Sequence, residues 1–186
     1  EHIYIIFVAL ISIPLFKEYS NRQNSLFGTY NVRSRFPEIF LVIILVLFIG
    51  FRPADKAFYD TMFYYDVIAN RSLQFYGIDY EVENLIFDNV LFYFSYKHWS
   101  YTVFFLLIAS IYFVCSYIAT RKLFPKDTLF AYLVFLAAFS TFSYSVNGIK
   151  AGAASSIFLL GLAYREKLLI SIPLVLLSWG IHHSMS

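Results

Sequence analysis

The chain has 186 residues, of which 60% are hydrophobic, 22% aromatic and only 14% charged, with a formal net charge of +2. These proportions exclude an ordinary soluble globular protein and a basic nucleic-acid-binding face. The single cysteine, Cys115, lies inside an apolar run, which excludes a disulfide framework and a cysteine-based metal site. Long apolar runs recur along the chain, so we predict an all-α, polytopic helical membrane protein.

Six apolar runs are predicted to cross the membrane. In chain order they are Ile3–Phe16, Pro37–Phe51, Trp99–Ala119, Thr128–Val146, Asn147–Tyr164 and Leu168–Ile181. Pro37 is well placed for the first turn of a helix, and Pro173 is expected to kink the sixth span. We expect residues 1–186 to form a single transmembrane domain, a fragment of a larger bundle that is incomplete at both ends.

The basic residues are distributed unevenly between the two sides that six spans would create. Nine lie in the loops after the first, third and fifth spans, and five lie on the other side together with seven acidic residues. Short loops rich in Lys and Arg stay in the cytoplasm, so residues 52–98, 147–150 and 182–184 are predicted to face outward. We therefore expect three polar segments, distant in sequence, to meet at one outer face.

The longest polar segment, residues 52–98, is predicted to be a helical extracytoplasmic loop. Loops of this length without structure of their own are uncommon and usually functional. Lys56–Asn70 and Glu81–Tyr96 are each expected to form a short helix that lies on the membrane surface or caps a cavity, with a turn at Gly77 between them. Asp88 shares one face of the second helix with two other polar residues at three- and four-residue spacing.

Two cations near the predicted outer face are candidate site residues. A lysine close to hydrocarbon is expensive, so Lys150 is a functional candidate together with Asn147, which also interrupts the apolar sequence. Arg52 offers a planar fork of donors that suits phosphate oxygens. The simpler alternatives are that Lys150 extends to the lipid headgroups and that Arg52 is an interfacial anchor. Small residues after Lys150 are spaced to let helices approach closely, beginning with Gly148 and Gly152.

An acid, two tyrosines and a histidine complete the candidate set. Asp60 can accept sugar hydroxyls or act as a base, while the rings of Tyr64 and Tyr65 stack on sugar faces; the alternative is a solvated acid within an aromatic interface belt. His182 can shuttle a proton near neutral pH. Because His182 and His183 point about 100° apart on a helix, we expect no joint metal site there.

The order of these residues resembles that of a known family. The pieces are Gly50-Phe51-Arg52, Asp60 followed by Tyr64, Asn147-Gly148-Ile149-Lys150-Ala151, and His182-His183-Ser184. Together they resemble the EpsG family of Wzy-like bacterial polysaccharide polymerases, which act in exopolysaccharide or O-antigen biosynthesis. Lys150 stands where that family usually has Arg, and Ala151 where it usually has Gln.

The resemblance implies a multi-pass glycosyltransferase of the bacterial inner membrane. Such an enzyme joins oligosaccharide repeat units carried on a polyprenyl diphosphate at the outer face, with the lipid bilayer and other polysaccharide-assembly membrane proteins as partners. Arg52 and Lys150 would stabilise the leaving diphosphate without a metal or other cofactor, and Asp60 or His182 would activate the acceptor hydroxyl. The expected substrate-binding residues are Tyr64, Tyr65, Asn147 and Ser184.

Two other classes of function remain open at this point. A transporter or flippase of lipid-linked glycans would use the same cations as a vestibule. Transporters often contain paired discontinuous helices, however, and the sequence shows one break, at Asn147–Gly148. A membrane scaffold for a biosynthetic complex would tolerate loss of every outer charge.

Overall fold

The structure, a computed structural model, describes residues 36–70 and 84–182, together with residues 6, 9, 10 and 13 of the first apolar run. All regular structure among the described residues is helical, which confirms the all-α prediction for this part of the chain. The helices are α1 (Phe36–Gly50), α2 (Tyr59–Ala69), α3 (Leu85–Tyr96), α4 (Tyr101–Leu123), α5 (Thr128–Ala137), α6 (Phe139–Val146), α7 (Ile149–Ala163) and α8 (Leu168–Ile181).

Most predicted helices are present with shifted ends. The last span coincides with α8, which continues through Pro173. Helix α4 begins two residues later than predicted because Ser100 caps it: its Oγ accepts a hydrogen bond from the N–H of Thr102 at 3.2 Å. The same helix ends four residues later than predicted, with Arg121 and Lys122 in the last turn, where the helix dipole favours cations. The predicted first span lies mostly outside the described residues, and the predicted turn at Gly77 lies wholly outside them.

The predicted span Thr128–Val146 is not one helix. It is divided into α5 and α6, which are bent by 72° at Ala138, whose backbone is extended. The break frees backbone carbonyl groups, and the Oγ1 of Thr141 donates a hydrogen bond of 2.5 Å to the carbonyl of Phe135. Hydroxyl side chains of this kind stabilise interrupted helices in apolar surroundings. Composition located the apolar run but not the break within it.

Helix lengths support membrane crossing for part of the bundle only. Helix α4 has 23 residues and is long and apolar enough to cross a membrane, and the bent pair α5–α6 qualifies if it counts as one span. The apolar helices α1, α7 and α8 have 14 or 15 residues, or roughly 22 Å, less than the ~30 Å of a hydrocarbon core. The predicted number of six spans therefore stays a prediction.

Helix α7 lies at the centre of the bundle and packs against α4, α6 and α8, while α1 packs on another side of α4. We call the end at which α1 ends, α4 and α7 begin and α8 ends the Arg52 end. A buried apolar cluster joins the elements there, with Tyr64 from α2, Phe87 from α3, Phe104 from α4, Ile149 from α7 and Ile181 from α8. The short helices α2 and α3 therefore pack at the Arg52 end.

The opposite end is fixed by different contacts. The hydroxyl of Tyr117 donates a 2.9 Å hydrogen bond to Oε2 of the buried Glu38, which joins the end of α4 to the start of α1. The Nζ of Lys122 lies 5.7 Å from the ring centroid of Tyr164, so α4 and α7 end on the same side. Helix α1 therefore runs opposite to α4 and α7, which run in the same direction.

Close approach of α6 and α7 depends on Gly152. A Cβ atom there would lie 2.6 Å from the carbonyl oxygen of Tyr144, a backbone atom that cannot move independently of its helix. At Gly161, in the same helix, the nearest atom to an added Cβ is the side-chain Cγ2 of Val175, at 3.1 Å. The predicted role of the small residues in helix packing fits this geometry.

We expect Gly152→Ala to lower the stability of the protein by about 1–3 kcal/mol, since the added methyl group forces α6 and α7 apart. Gly161→Ala is the matched control, because both changes bring the same gain in helix propensity. The apparent melting temperature in detergent measures the effect. Equal melting temperatures for the two variants would contradict the packing argument.

Candidate functional site

Arg52 is positioned by a close contact between α1 and α4. A Cβ atom on Gly50 would lie 2.5 Å from Cδ2 and 2.9 Å from Cα of Leu106, so glycine is needed for this approach. Two residues later, the guanidinium carbon of Arg52 lies 4.3 Å from the ring centroid of Phe105. The Gly-x-Arg pattern therefore has a physical basis: the glycine allows α1 and α4 to approach closely, and the arginine stacks on the ring of Phe105 in α4.

The guanidinium of Arg52 is held by uncharged groups. Its Nη1 donates to the carbonyl of Ile49 at 2.9 Å, and its Nε and Nη2 donate to Oγ1 of Thr61 at 3.4 and 3.3 Å. Burial lowers the pKa of Arg52 to about 10, so the group is still cationic at neutral pH. Among the described residues Arg52 has no carboxylate in ion-pair contact, and its charge is therefore available to an anion.

Thr61 joins three elements and was not identified from the sequence. It is fully buried at the start of α2, and its hydroxyl donates a hydrogen bond to the carbonyl of Val146 while accepting from Arg52. The hydroxyl thus connects the segment after α1, helix α2 and the end of α6. A threonine in a polar loop carries no sequence signal for this role, because its partner Val146 is 85 residues away.

Asn147 holds the first turn of α2 in place. Its Oδ1 accepts a hydrogen bond of 3.1 Å from the backbone N–H of Asp60. Phe58, the N-cap residue of α2, supplies no side-chain cap, so Asn147 satisfies one of the free N–H groups of that helix from a distant part of the chain. The Oδ1 of Asn147, expected to contact substrate, is therefore used to dock α2.

This contact places Asp60 beside the start of α7. Burial raises the pKa of the Asp60 carboxyl, and the positive charge of Lys150 opposes that rise. A carboxylate with a raised pKa is a better proton acceptor than a solvated one, as a general base requires. This environment is compatible with the predicted role of Asp60 as a base.

Lys150 is paired with a carboxylate. Its Nζ lies 3.1 Å from Oδ1 of Asp88 on α3, and 5.3 Å from the ring centroid of Phe87. Both charged side chains are largely buried, at 20% and 15% exposure, which strengthens their attraction relative to a surface pair. Asp88 was not among the candidate site residues, although the predicted helix face that carries it was recognised.

The two tyrosines differ in what they offer. Tyr64 is buried, with its ring against Phe87 at 5.4 Å and Phe104 at 6.1 Å, so its ring face is not open to a sugar and the stacking expected of it is not supported. Burial raises the pKa of its hydroxyl, and the charges of Asp60 and Asp88 add to that rise. Tyr65 is half-buried and meets Tyr101 edge to face at 4.8 Å.

His182 ends α8 at the Arg52 end. Its backbone N–H donates to the carbonyl of Ser178 at 3.2 Å, and Ile181 before it belongs to the buried cluster that contains Tyr64. Close packing of α8 on α3 fixes this position, because a Cβ atom on Gly180 would lie 2.6 Å from Cδ1 of Ile86. Ser184 and His183 lie outside the described residues.

The candidate site therefore gathers groups from four parts of the chain at the Arg52 end. Arg52, Asp60, Asn147 and Lys150 are joined by the contacts given above, and His182 reaches the same end. Within the described ranges, no group of three or more His, Cys, Asp or Glu side chains is arranged to hold a metal ion. The arrangement can bind an anion at Arg52 and accept a proton at Asp60.

We expect Thr61→Val to lower stability by about 1–3 kcal/mol, because it removes a hydroxyl on which Arg52 and Val146 both depend, without changing the side-chain shape. Thr61→Ser keeps that hydroxyl and is the control. The measurement is the apparent melting temperature together with the anion affinity of each variant. A Thr61→Val protein with unchanged anion affinity would show that Thr61 does not position Arg52.

The sequence model of the EpsG family matches residues 36–186 of the chain, which include every described residue of the site. No curated protein and no solved structure matches the chain significantly.

Proposed function

The chain belongs to the EpsG family, a family of Wzy-like polysaccharide polymerases that are membrane proteins, and from this membership we propose its specific reaction. We propose that it polymerises polyprenyl-diphosphate-linked oligosaccharide repeat units at the outer face of the bacterial inner membrane. The observation that carries the proposal is the meeting of Arg52, Asp60 and Lys150, from three separate segments, at one end of the bundle.

The cations supply what a diphosphate leaving group needs. In the proposed reaction, the guanidinium of Arg52 binds diphosphate oxygens through donors held in a fixed plane. Its fixation by Thr61 and Phe105 means that little reorganisation is needed as negative charge develops on the leaving group. Lys150, in the first turn of α7, keeps its pair with Asp88 and offers its remaining ammonium N–H donors to the diphosphate.

The transfer step uses one carboxylate. Asp60 accepts the proton of an acceptor hydroxyl while that oxygen forms a bond to the anomeric carbon of the donor sugar. The bond between the anomeric carbon and the diphosphate oxygen breaks, and its electron pair leaves with the polyprenyl diphosphate. His182 is the second candidate for the base, since it ends α8 on the same side of the bundle.

The charge distribution supports an outward-facing site. The basic loops predicted to be cytoplasmic contain Arg121 and Lys122 at the end of α4, opposite the Arg52 end. By the positive-inside rule, the Arg52 end then faces away from the cytoplasm. This orientation suits a reaction on repeat units that have already crossed the membrane.

A direct test is elongation in detergent. Purified protein is incubated with lipid-linked repeat units from the host strain, and the lipid-linked products are separated by length. The proposal predicts a ladder of products that each gain whole repeat units. Absence of any elongation by an intact, folded protein would contradict it.

A flippase of lipid-linked glycans is the second candidate, because the 72° break between α5 and α6 is of the kind that transporters use. Assays in vesicles and in detergent distinguish the two functions. A flippase moves labelled lipid-linked glycan across a vesicle membrane without changing its length, whereas a polymerase lengthens it in detergent, where no membrane divides two compartments.

A further inference from the structure

The ammonium of Lys150 is paired with one carboxylate and acts electrostatically on a second. Asp60 is joined to Asn147, three residues before Lys150, and the lysine's charge acts on the Asp60 carboxyl. The ion pair at 3.1 Å nevertheless goes to Asp88, on the neighbouring helix α3. The ring of Phe87 lies beside the ammonium and adds a second contact on the side of α3.

We propose that Asp88 is a positioning residue, which holds the Lys150 ammonium away from Asp60 so that the Asp60 carboxylate stays free to take a proton. The consequence for turnover rests on the proposed function, in which Asp60 is the base. The effect of the Lys150–Asp88 pair on the protonation of Asp60 does not depend on any substrate.

The effect of the Lys150 ammonium on Asp60 depends on which carboxylate it contacts. An ammonium in direct contact with Asp60 would stabilise its charged form and make it a weaker base. Asp88 therefore acts on Asp60 by binding Lys150. The substitution of Asp88 alone leaves the other ionisable side chains of the chain unaltered, among them Arg52 after α1, Tyr64 on α2 and His182 at the end of α8.

The variant Asp88→Asn keeps the shape of the side chain and removes its charge. Lys150 then turns to Asp60, and the pH at which Asp60 is half-protonated is expected to fall by about one unit. Because a weaker base takes the proton less readily, kcat for polymerisation falls about threefold to tenfold, with no increase in KM. The acidic limb of the pH–rate profile moves to lower pH.

The protonation of Asp60 can be followed without turnover. A carbodiimide with an amine nucleophile labels protonated carboxyl groups, and peptide mass spectrometry of the full-length protein gives the extent of labelling at Asp60 across a pH series. Asp88→Glu should behave like the wild type. Asp66→Asn is the matched control, since Asp66 lies on the same helix as Asp60 and accepts a 2.9 Å hydrogen bond from Asn70. It should leave the labelling midpoint of Asp60 unchanged.

A second variant keeps the test decisive if Asp88→Asn does not fold. Lys150→Gln removes the ammonium, so the labelling midpoint of Asp60 should rise, opposite to the effect of Asp88→Asn. An unchanged midpoint in either folded variant overturns the inference, and Asp88 then only stabilises the packing of α3 on α7. A wild-type protein that labels as expected but does not elongate substrate contradicts the proposed function instead.

Discussion

Replacement of Arg52 by alanine is expected to reduce polymer formation by about 10²-fold or more, while the protein still folds and inserts into the membrane. Arg52 is the site cation whose described partners are all uncharged, and the loss of one preorganised donor to a developing anion typically costs this much. Polymer length from purified variants on lipid-linked repeat units measures the effect. The apparent melting temperature shows whether folding is retained.

The control is Arg121→Ala, which removes an exposed arginine from the end of α4 opposite the Arg52 end. We expect this variant to polymerise like the wild type. Arg52→Lys should be intermediate, because an ammonium cannot reproduce the planar fork that reaches Ile49 and Thr61 together. Polymer of normal length from Arg52→Ala would remove Arg52 from the mechanism.

The helices could largely be predicted from the sequence because apolar runs and caps are local features. Leu168–Ile181 was located to the residue, and Lys56–Asn70 was identified as a helix, although it begins three residues later, at Tyr59. The break at Ala138 could not be predicted in this way, because it lies within an apolar run. What stabilises it is a hydroxyl of Thr141 that satisfies a carbonyl on the preceding helix.

The site could be predicted only in part, for a related reason. Arg52 and Lys150 are charged residues beside apolar spans, and their cost in such surroundings marks them as candidates, while Asp60 was marked by the aromatic residues around it. Their partners are not marked: Thr61 is an ordinary polar residue, and Asp88 is one of several acids in a polar segment. Thr61 binds the carbonyl of Val146, 85 residues away, and Asp88 pairs with Lys150, 62 residues away. Only the packing of α2 and α3 in the folded protein reveals these contacts.

Two residues near the start of α7 also make contacts that the sequence did not predict. Asn147 was expected to bind substrate and Lys150 to stabilise the leaving diphosphate; in the structure the Oδ1 of Asn147 docks α2 and Lys150 binds Asp88. Each of these contacts fixes a carboxylate-bearing helix at the Arg52 end. Asn147 and Lys150 therefore hold the helices of the site together, and Lys150 also supplies one of its positive charges.

Lys150→Ala is expected to abolish polymer formation, with a loss of about 10²-fold or more, whereas Lys150→Arg should retain activity. An arginine at position 150 can pair with Asp88 through two parallel hydrogen bonds and still offer donors to a diphosphate. The control is Lys97→Ala, because the Nζ of Lys97 also lies over an aromatic ring, 5.4 Å from the centroid of Tyr96. Lengths of lipid-linked product and melting temperatures are measured for all three proteins.

Loss of stability has to be separated from loss of the catalytic charge, since Lys150→Ala also leaves the largely buried Asp88 without its cation. The double variant Lys150→Met with Asp88→Leu removes both charges, and replacement of both partners of such a pair by apolar residues of similar volume is often nearly neutral for folding. We therefore expect this double variant to melt close to the wild-type temperature and to remain unable to polymerise. If it regained polymerisation as well, the Lys150–Asp88 pair would be a packing contact only, and Arg52 would be left as the cation on which diphosphate departure depends.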